Sequence, residues 1–351
     1  MKIHSDANVE LLISNYRYQK QKYLSTTAIV FFNLTNGKIL DKNEAYAKVL
    51  EFYPNFVIDA GMPKIHGEVI VSGTVRPQNE IPMANDLFKN DTKWKKFASV
   101  KVEIGTISNR ALVFFEENKK EIKLSDSNSA PNILEYHGEK FFSKLNNMDF
   151  TEKAMDDPER LKLAGTYGKA WLKHGLGSLP DDYNFAYNNV TSKIWQINGA
   201  WPQGIPYVLE GVGIGENDDS CFFKGHLPDV AIGVVAHRFK ANEEHDLIPT
   251  SLNLDTIRFL PDANVGVMIW HGLFNYEQDF DTLVAIKYED FVADSDKDKL
   301  KELSSLECAN EFAPLVLKLI LDLHKEDVHA PQNPQYDIKR KWYLAKKKVV
   351  N

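Results

Sequence analysis

The chain has 351 residues, 43% of them apolar and 11% aromatic, with a formal net charge of −7 and two cysteines, Cys221 and Cys308. That composition excludes global disorder, a disulfide framework and a surface made to grip nucleic acid. No run of about 18 apolar residues occurs and the first ten residues lack a signal-peptide core, so the expectation is a cytoplasmic protein with no membrane partner.

In chain order, the first half reads mainly as strands. Thr26–Leu34 is a β-branched and aromatic run ending at the turn pair Asn36-Gly37. Val69 and Val71 alternate with Ile70 and Ser72 before Gly73. Val100, Val102 and Ile104 alternate with Lys101 and Glu103, and a Gly105–Arg110 link to Ala111–Phe115 completes a hairpin. Residues 117–150, rich in Lys, Ser, Asp and Asn, read as a solvated linker or shortened insertion.

From Thr151 the spacing turns helical, with Leu161, Ala164 and Tyr167 recurring, although Gly165 and Gly168 favour a break. Residues 198–228 carry many Gly and Pro and read mostly as loops. A second hairpin is legible in Ile257 and Phe259, the turn Pro261-Asp262-Ala263-Asn264, and Val265, Val267 and Ile269. Beyond it, Ser295–Asp298 supplies a helix start, Leu300, Leu303 and Leu306 share a face, and Leu315–Leu323 repeats the pattern past Pro314. Residues 338–351 carry six cations and no acid, which leaves the remainder more acidic still.

These readings predict an α+β, β-rich fold: two packed antiparallel β-units with a helical C-terminal region. The expected units are 1–116, a linker over 117–150, a second β-rich unit over 151–292 beginning with a helix, and helices with a basic tail over 293–351.

No constellation assembles an active site. Asp181 and Asp182 are adjacent, and neighbours on an extended chain point to opposite faces, so a turn or cap role is expected. Gly213–Asp219 lacks the ligand register of a calcium loop. His226, His237, His245 and His271 show neither the helical pairing nor the Cys/His doublets of a zinc site, and His237 and His271 read as hydrogen-bonded structural histidines. Gly211, Gly213 and Gly215 have no helix after them, so a dinucleotide loop is not indicated. No catalytic, metal or cofactor residue is assigned. Pro63-Lys64 reads as an edge-protecting lysine or a presented cation. Trp195, Trp201 and Tyr207 read as core beneath loops or as an exposed recognition surface.

Three blocks in order carry a resemblance. They are Asp59, Pro63, Lys64 and Gly73; then Gly165, Thr166, Tyr167, Trp171, Leu179, Pro180 and Asp181; then Asp255, Thr256 and Trp270. Together they resemble a bacterial domain-of-unknown-function family of type VI secretion adaptors or chaperones. Two departures stand out: residues 117–150 lack the family's Gly-rich segment, and His271 follows the closing Trp where Arg is usual. The resemblance implies a non-enzymatic protein without cofactors. Its partners would be a toxic effector and a VgrG-type spike, and the signature residues would set turns and fill cores. Two other readings compete. One is a glycan- or peptidoglycan-active enzyme whose Asp181, Asp182 and Asp255 meet in a cleft. The other is a β-sandwich ligand-binding module with Trp195 and Trp201 as an exposed stacking platform.

Overall fold

The alternation of Ala98, Val100, Val102 and Ile104 with Lys101 and Glu103 becomes a strand whose apolar set is buried and whose charges stay outside. That strand is β7 (Trp94–Ile104), and a two-residue turn joins it to β8 (Ile107–Glu116). In a computed structural model the described residues are 2–5, 8–54, 56, 58, 62–80, 94–116, 120–123, 133–137, 140–145, 158–166, 179–191, 193–214, 222–239, 245–275 and 282–287. The expected C-terminal helices over 293–351 lie outside them.

The other early strands are β1 (Lys2–His4), β2 (Glu10–Tyr18), β3 (Gln21–Asn33), β4 (His66–Val71), β5 (Thr74–Val75) and β6 (Asn79–Glu80). After β8 come β9 (Ile122–Lys123), β10 (Ile133–His137), β11 (Lys140–Leu145), β12 (Gln196–Asn198), β13 (Pro206–Glu210) and β14 (Phe222–His226). The last are β15 (Ile232–Phe239), β16 (His245–Ser251), β17 (Asn253–Leu260), β18 (Val265–Asn275) and β19 (Thr282–Lys287). Two α-helices are described, α1 (Lys42–Phe52) and the single-turn α2 (Pro158–Leu161).

Two large sheets face each other. One has the order β12-β4-β17-β18-β3-β2; the other runs β11-β10-β8-β7-β13-β14, with β6 also on β7. Val69, Val71, Ile257, Phe259, Met268 and Trp270 of the first pack in one core with Val100, Val102, Val113, Phe115, Tyr207 and Leu209 of the second. A smaller sheet, β1-β19-β15-β16, adds Ile232, Val234 and Ala236 to the same core. On the far face of the first sheet, α1 lays Ala45 and Val49 over Ile29, Phe31, Val265 and Val267.

The β-rich expectation holds, but the sheets are not purely antiparallel. β4 runs parallel to β17, and β1 parallel to β19. A parallel pair needs a long crossover, and here the link from β4 to β17 includes the whole facing sheet. Each large sheet contains strands both from residues 1–116 and from 196–275. The solvated-linker expectation is corrected, and strands also run among the expected loops. Residues 117–150 contribute β9, β10 and β11, and the Gly- and Pro-rich 198–228 stretch contributes β13 and β14. In the stretch expected to be helical from Thr151, the described residues hold α2, which runs into a 3-10 turn over Lys162–Ala164 that stops at Gly165, whose φ is 77°.

Candidate functional site

The parallel pairing of β4 with β17 sets Thr256 opposite Glu68, and the β17–β18 hairpin brings His271 alongside Asp255. Four ionisable side chains thereby meet in the interior. Lys64 Nζ lies 2.5 Å from Glu68 Oε1, with side-chain exposures of 1% and 0%. Asp255 accepts from the Lys64 backbone N–H at 3.0 Å and from the Thr256 hydroxyl at 3.0 Å, and its two oxygens lie 2.8 and 2.9 Å from His271 Nδ1. Glu68 Oε2 accepts from Val190 N, Thr191 N and Thr191 Oγ1 at 2.9, 3.1 and 3.0 Å. A buried carboxylate is tolerable only when so satisfied.

The segment after Leu179 closes over this node. Asn188 Nδ2 donates to the Pro63 carbonyl at 3.0 Å, and Asn189 Nδ2 donates to the His66 carbonyl at 2.7 Å. Trp201 Nε1 donates to the Glu68 carbonyl at 3.1 Å, and its backbone N–H reaches Leu254. At Gly165 a Cβ would meet Asp182 Oδ1 at 2.7 Å, and a positive φ already disfavours any other residue. That close approach lets Asp182 accept from Thr166 N at 2.9 Å and Thr166 Oγ1 at 2.7 Å. Those two bonds, the backbone one foremost, hold the Asp182 carboxyl below its ordinary pKa.

Beside the node lies an aromatic layer. Tyr16, Leu179, Tyr183 and Tyr187 are buried, with Tyr18, Tyr23, Met62 and Phe185 half-buried around them. Tyr16 stacks on Tyr23 at 5.3 Å, and Phe185 meets Tyr18 and Tyr183 edge to face. Arg160 sits 4.7 Å over the Tyr187 ring and donates to its carbonyl. Burial raises the Tyr16 hydroxyl pKa, and Tyr23 adds to the shift. The Tyr16 and Tyr187 hydroxyls have no hydrogen-bond partner among the described residues.

Lys64 and Asp255 join the first and third signature blocks in this node, while Thr166, Leu179, Pro180 and Asp181 of the second lie beside it, on the Asp182 turn and the aromatic layer. Pro180 accepts from Tyr183 N, and the Asp181 carbonyl accepts from Tyr18 Oη at 3.4 Å. Gly73 lies apart, packed against Val212 and Pro261, and Trp270 fills the core between the sheets. Asp59, Tyr167 and Trp171 lie outside the described residues.

One expectation is corrected, and two competing readings fall. Lys64 is neither an edge guard nor a presented cation, because its side chain is sealed against Glu68. The three aspartates form no carboxylate pair: Asp255 is 1% exposed beside His271, whereas Asp181 and Asp182 sit on an exposed turn. Trp195 and Trp201 offer no stacking platform, since they are 0% and 4% exposed. Glu68 is hard to read from sequence because it sits in an apolar strand and most of its partners, Val190 and Thr191, are distant in sequence. Its signal is a lone acid flanked by Gly67 and Val69, four residues after a lysine. His271 was read as structural, which its Asp255 contact agrees with; the tyrosine layer went unread because its members come from distant segments.

Among the described residues, no three His, Cys, Asp or Glu side chains gather to hold a metal ion, and no helix is long and apolar enough to cross a membrane. Residues 116–271 match the model of a family described as an uncharacterized protein conserved in bacteria (DUF2169). The second and third signature blocks fall within that span, and the first precedes it. No curated protein and no solved structure matches the chain.

Proposed function

We propose that this chain is a non-enzymatic cytoplasmic adaptor. It binds a toxic effector of a type VI secretion machine and helps load it onto the VgrG-type spike. The observation that carries the reading is the meeting of the first and third signature blocks, through Lys64 and Asp255, in a node closed to water. Residues so buried cannot touch a substrate; they fix the shape of the surface above them, which is what a binding protein needs. The match to an uncharacterized bacterial family over 116–271 supports the bacterial setting, and the three-block resemblance supplies the secretion role.

The test is genetic and biochemical. Deleting the gene is expected to stop export of one effector, or to destabilise it, while general injection continues. Pull-down of the tagged chain is expected to recover that effector with a spike component. Unchanged delivery of every effector would sink the proposal.

A further inference from the structure

Asn-Gly occurs twice in the chain, at Asn36-Gly37 and Asn198-Gly199. The pair carries its own chemistry, because glycine has no Cβ to shield its backbone nitrogen. That nitrogen gives up its proton to a base and attacks the asparagine's side-chain carbonyl carbon. The new N–C bond closes a succinimide ring and the side-chain nitrogen leaves as ammonia. Water then opens the ring at either carbonyl, giving aspartate or isoaspartate. A β-branched residue precedes each asparagine, Thr35 and Ile197, and both asparagines are exposed. Sequence and exposure set the two sites level; local structure separates them.

Asn36 is tied down. Its Oδ1 accepts from Lys38 N at 2.9 Å, and Gly37 N, the nucleophile, donates to the Asn33 carbonyl at 2.8 Å. Asn33 Oδ1 accepts from Thr35 N and Asn36 N at 2.9 and 3.1 Å, and Tyr207 Oη donates to the Leu34 carbonyl from the core. Attack needs the reacting atoms aligned and about 3–3.5 Å apart. Reaching that geometry here means breaking bonds at both reacting groups.

Asn198 is held less. It ends β12, a three-residue strand at the sheet edge, and its side chain has no hydrogen-bond partner among the described residues. Gly199 has a φ of 79°, and nothing lies within 4 Å of where its Cβ would stand. Its main chain bridges to His66, and its carbonyl accepts from Gly67 N at 2.6 Å. Exposed ends of short elements open locally at little free-energy cost, and the Asn198 carboxamide is already free to turn.

We infer that Asn198 is a site of spontaneous covalent modification, to aspartate and isoaspartate, and that the 33–38 turn spares Asn36. The position matters for what it covers. A Cβ at Gly67 would meet Gly199 O at 2.9 Å and Trp201 Cδ1 at 3.0 Å, and Trp201 Nε1 donates to the Glu68 carbonyl. Isoaspartate puts an extra carbon into the main chain ahead of Gly199 and shifts it off Gly67. β12 then loosens beside the buried Lys64–Glu68 pair.

For the test, the full chain is incubated in mild alkali and both asparagines are followed by peptide mass spectrometry, with fragmentation separating isoaspartate from aspartate. In the folded chain Asn198 is expected to convert at least about tenfold faster than Asn36, and at a similar rate once urea removes the turn. Asn33→Ala takes the acceptor from Thr35 N and Asn36 N, so conversion at Asn36 is expected to speed up; Asn33→Asp is expected to leave it slow. After conversion the Gly67 amide is expected to exchange faster with solvent. A freshly made Asn198→Asp chain is expected to keep that amide protected, because the charge alone lengthens nothing.

Equal rates at the two asparagines in the folded chain would overturn the assignment. So would a difference of the same size in urea, which would belong to the sequence and not to the fold. Isoaspartate at Asn198 with Gly67 exchange unchanged would overturn the loosening of β12.

Discussion

Lys64 and Glu68 form an ion pair sealed from water, with Nζ and Oε1 2.5 Å apart and Asp255 gripping the lysine's own backbone N–H. The pair ties the chain entering β4 to the strand that β4 joins. Removing one member of a buried pair costs about 3–5 kcal/mol. Lys64→Met and Glu68→Gln are each expected to lose that much in urea unfolding, and the double variant less than the sum. Strict additivity would show that the two groups do not act together.

Asp182 supplies a pH-dependent contribution. Thr166 holds its folded pKa below the ordinary 3.8, so the native state keeps the carboxylate charged further into acid than the unfolded chain does. Its contribution is complete above the ordinary value and disappears as pH falls through the depressed one. Asp182→Ala is therefore expected to melt earlier than the parent near pH 7, with the gap closing as pH falls below the ordinary 3.8. A gap that persists in acid would assign the effect to packing.

Gly211 follows β13 with φ of 78°, and a Cβ there would run into the Ser99 carbonyl of β7. Neither the conformation nor the space admits a side chain. Gly211→Ala is expected to cost at least about 2 kcal/mol, measured as a lowered melting temperature. A neutral result would mean that the β7–β13 junction yields easily.

Asp41 caps α1 by accepting from Asn43 N and Glu44 N at 2.9 and 3.2 Å. Asp41→Ala is expected to cost about 1 kcal/mol, and Asp41→Asn much less. Both are read from denaturation midpoints with unchanged cooperativity.

The β7–β8 hairpin was legible because one face is wet, so alternation shows; β17–β18 is buried on both faces and was legible through its turn, Pro261–Asn264. Asn36-Gly37 was legible because Gly37 adopts a positive φ of 69°. The parallel β4–β17 pairing was not, since β4 is buried on both faces from Gly67 to Val71 and shows no alternation. Helix α1 was passed over because only Ala45 and Val49 of its eleven residues are buried, too thin a stripe to set a period. Asp41 and Glu44 were its available signal, a cap followed by an acid in the first turn. Lys64 misled because lysine next to a strand is ordinarily solvated, and its buried partners come from β4, β17 and the 188–191 turn. The node was visible as residues and invisible as a place.

The order of strands in the sheet that holds the node also sets a timetable. β3 meets β18 over eleven residue pairs, and β4 meets β17 over four. During synthesis, β3 and β4 leave the ribosome well before either partner exists. Their apolar faces and unmatched backbone must wait while the whole facing sheet is made. A nascent chain halted before Asn253 would carry β3 exposed on the side that β18 later covers. Until β18 is made, that apolar surface is of the kind that chaperones bind.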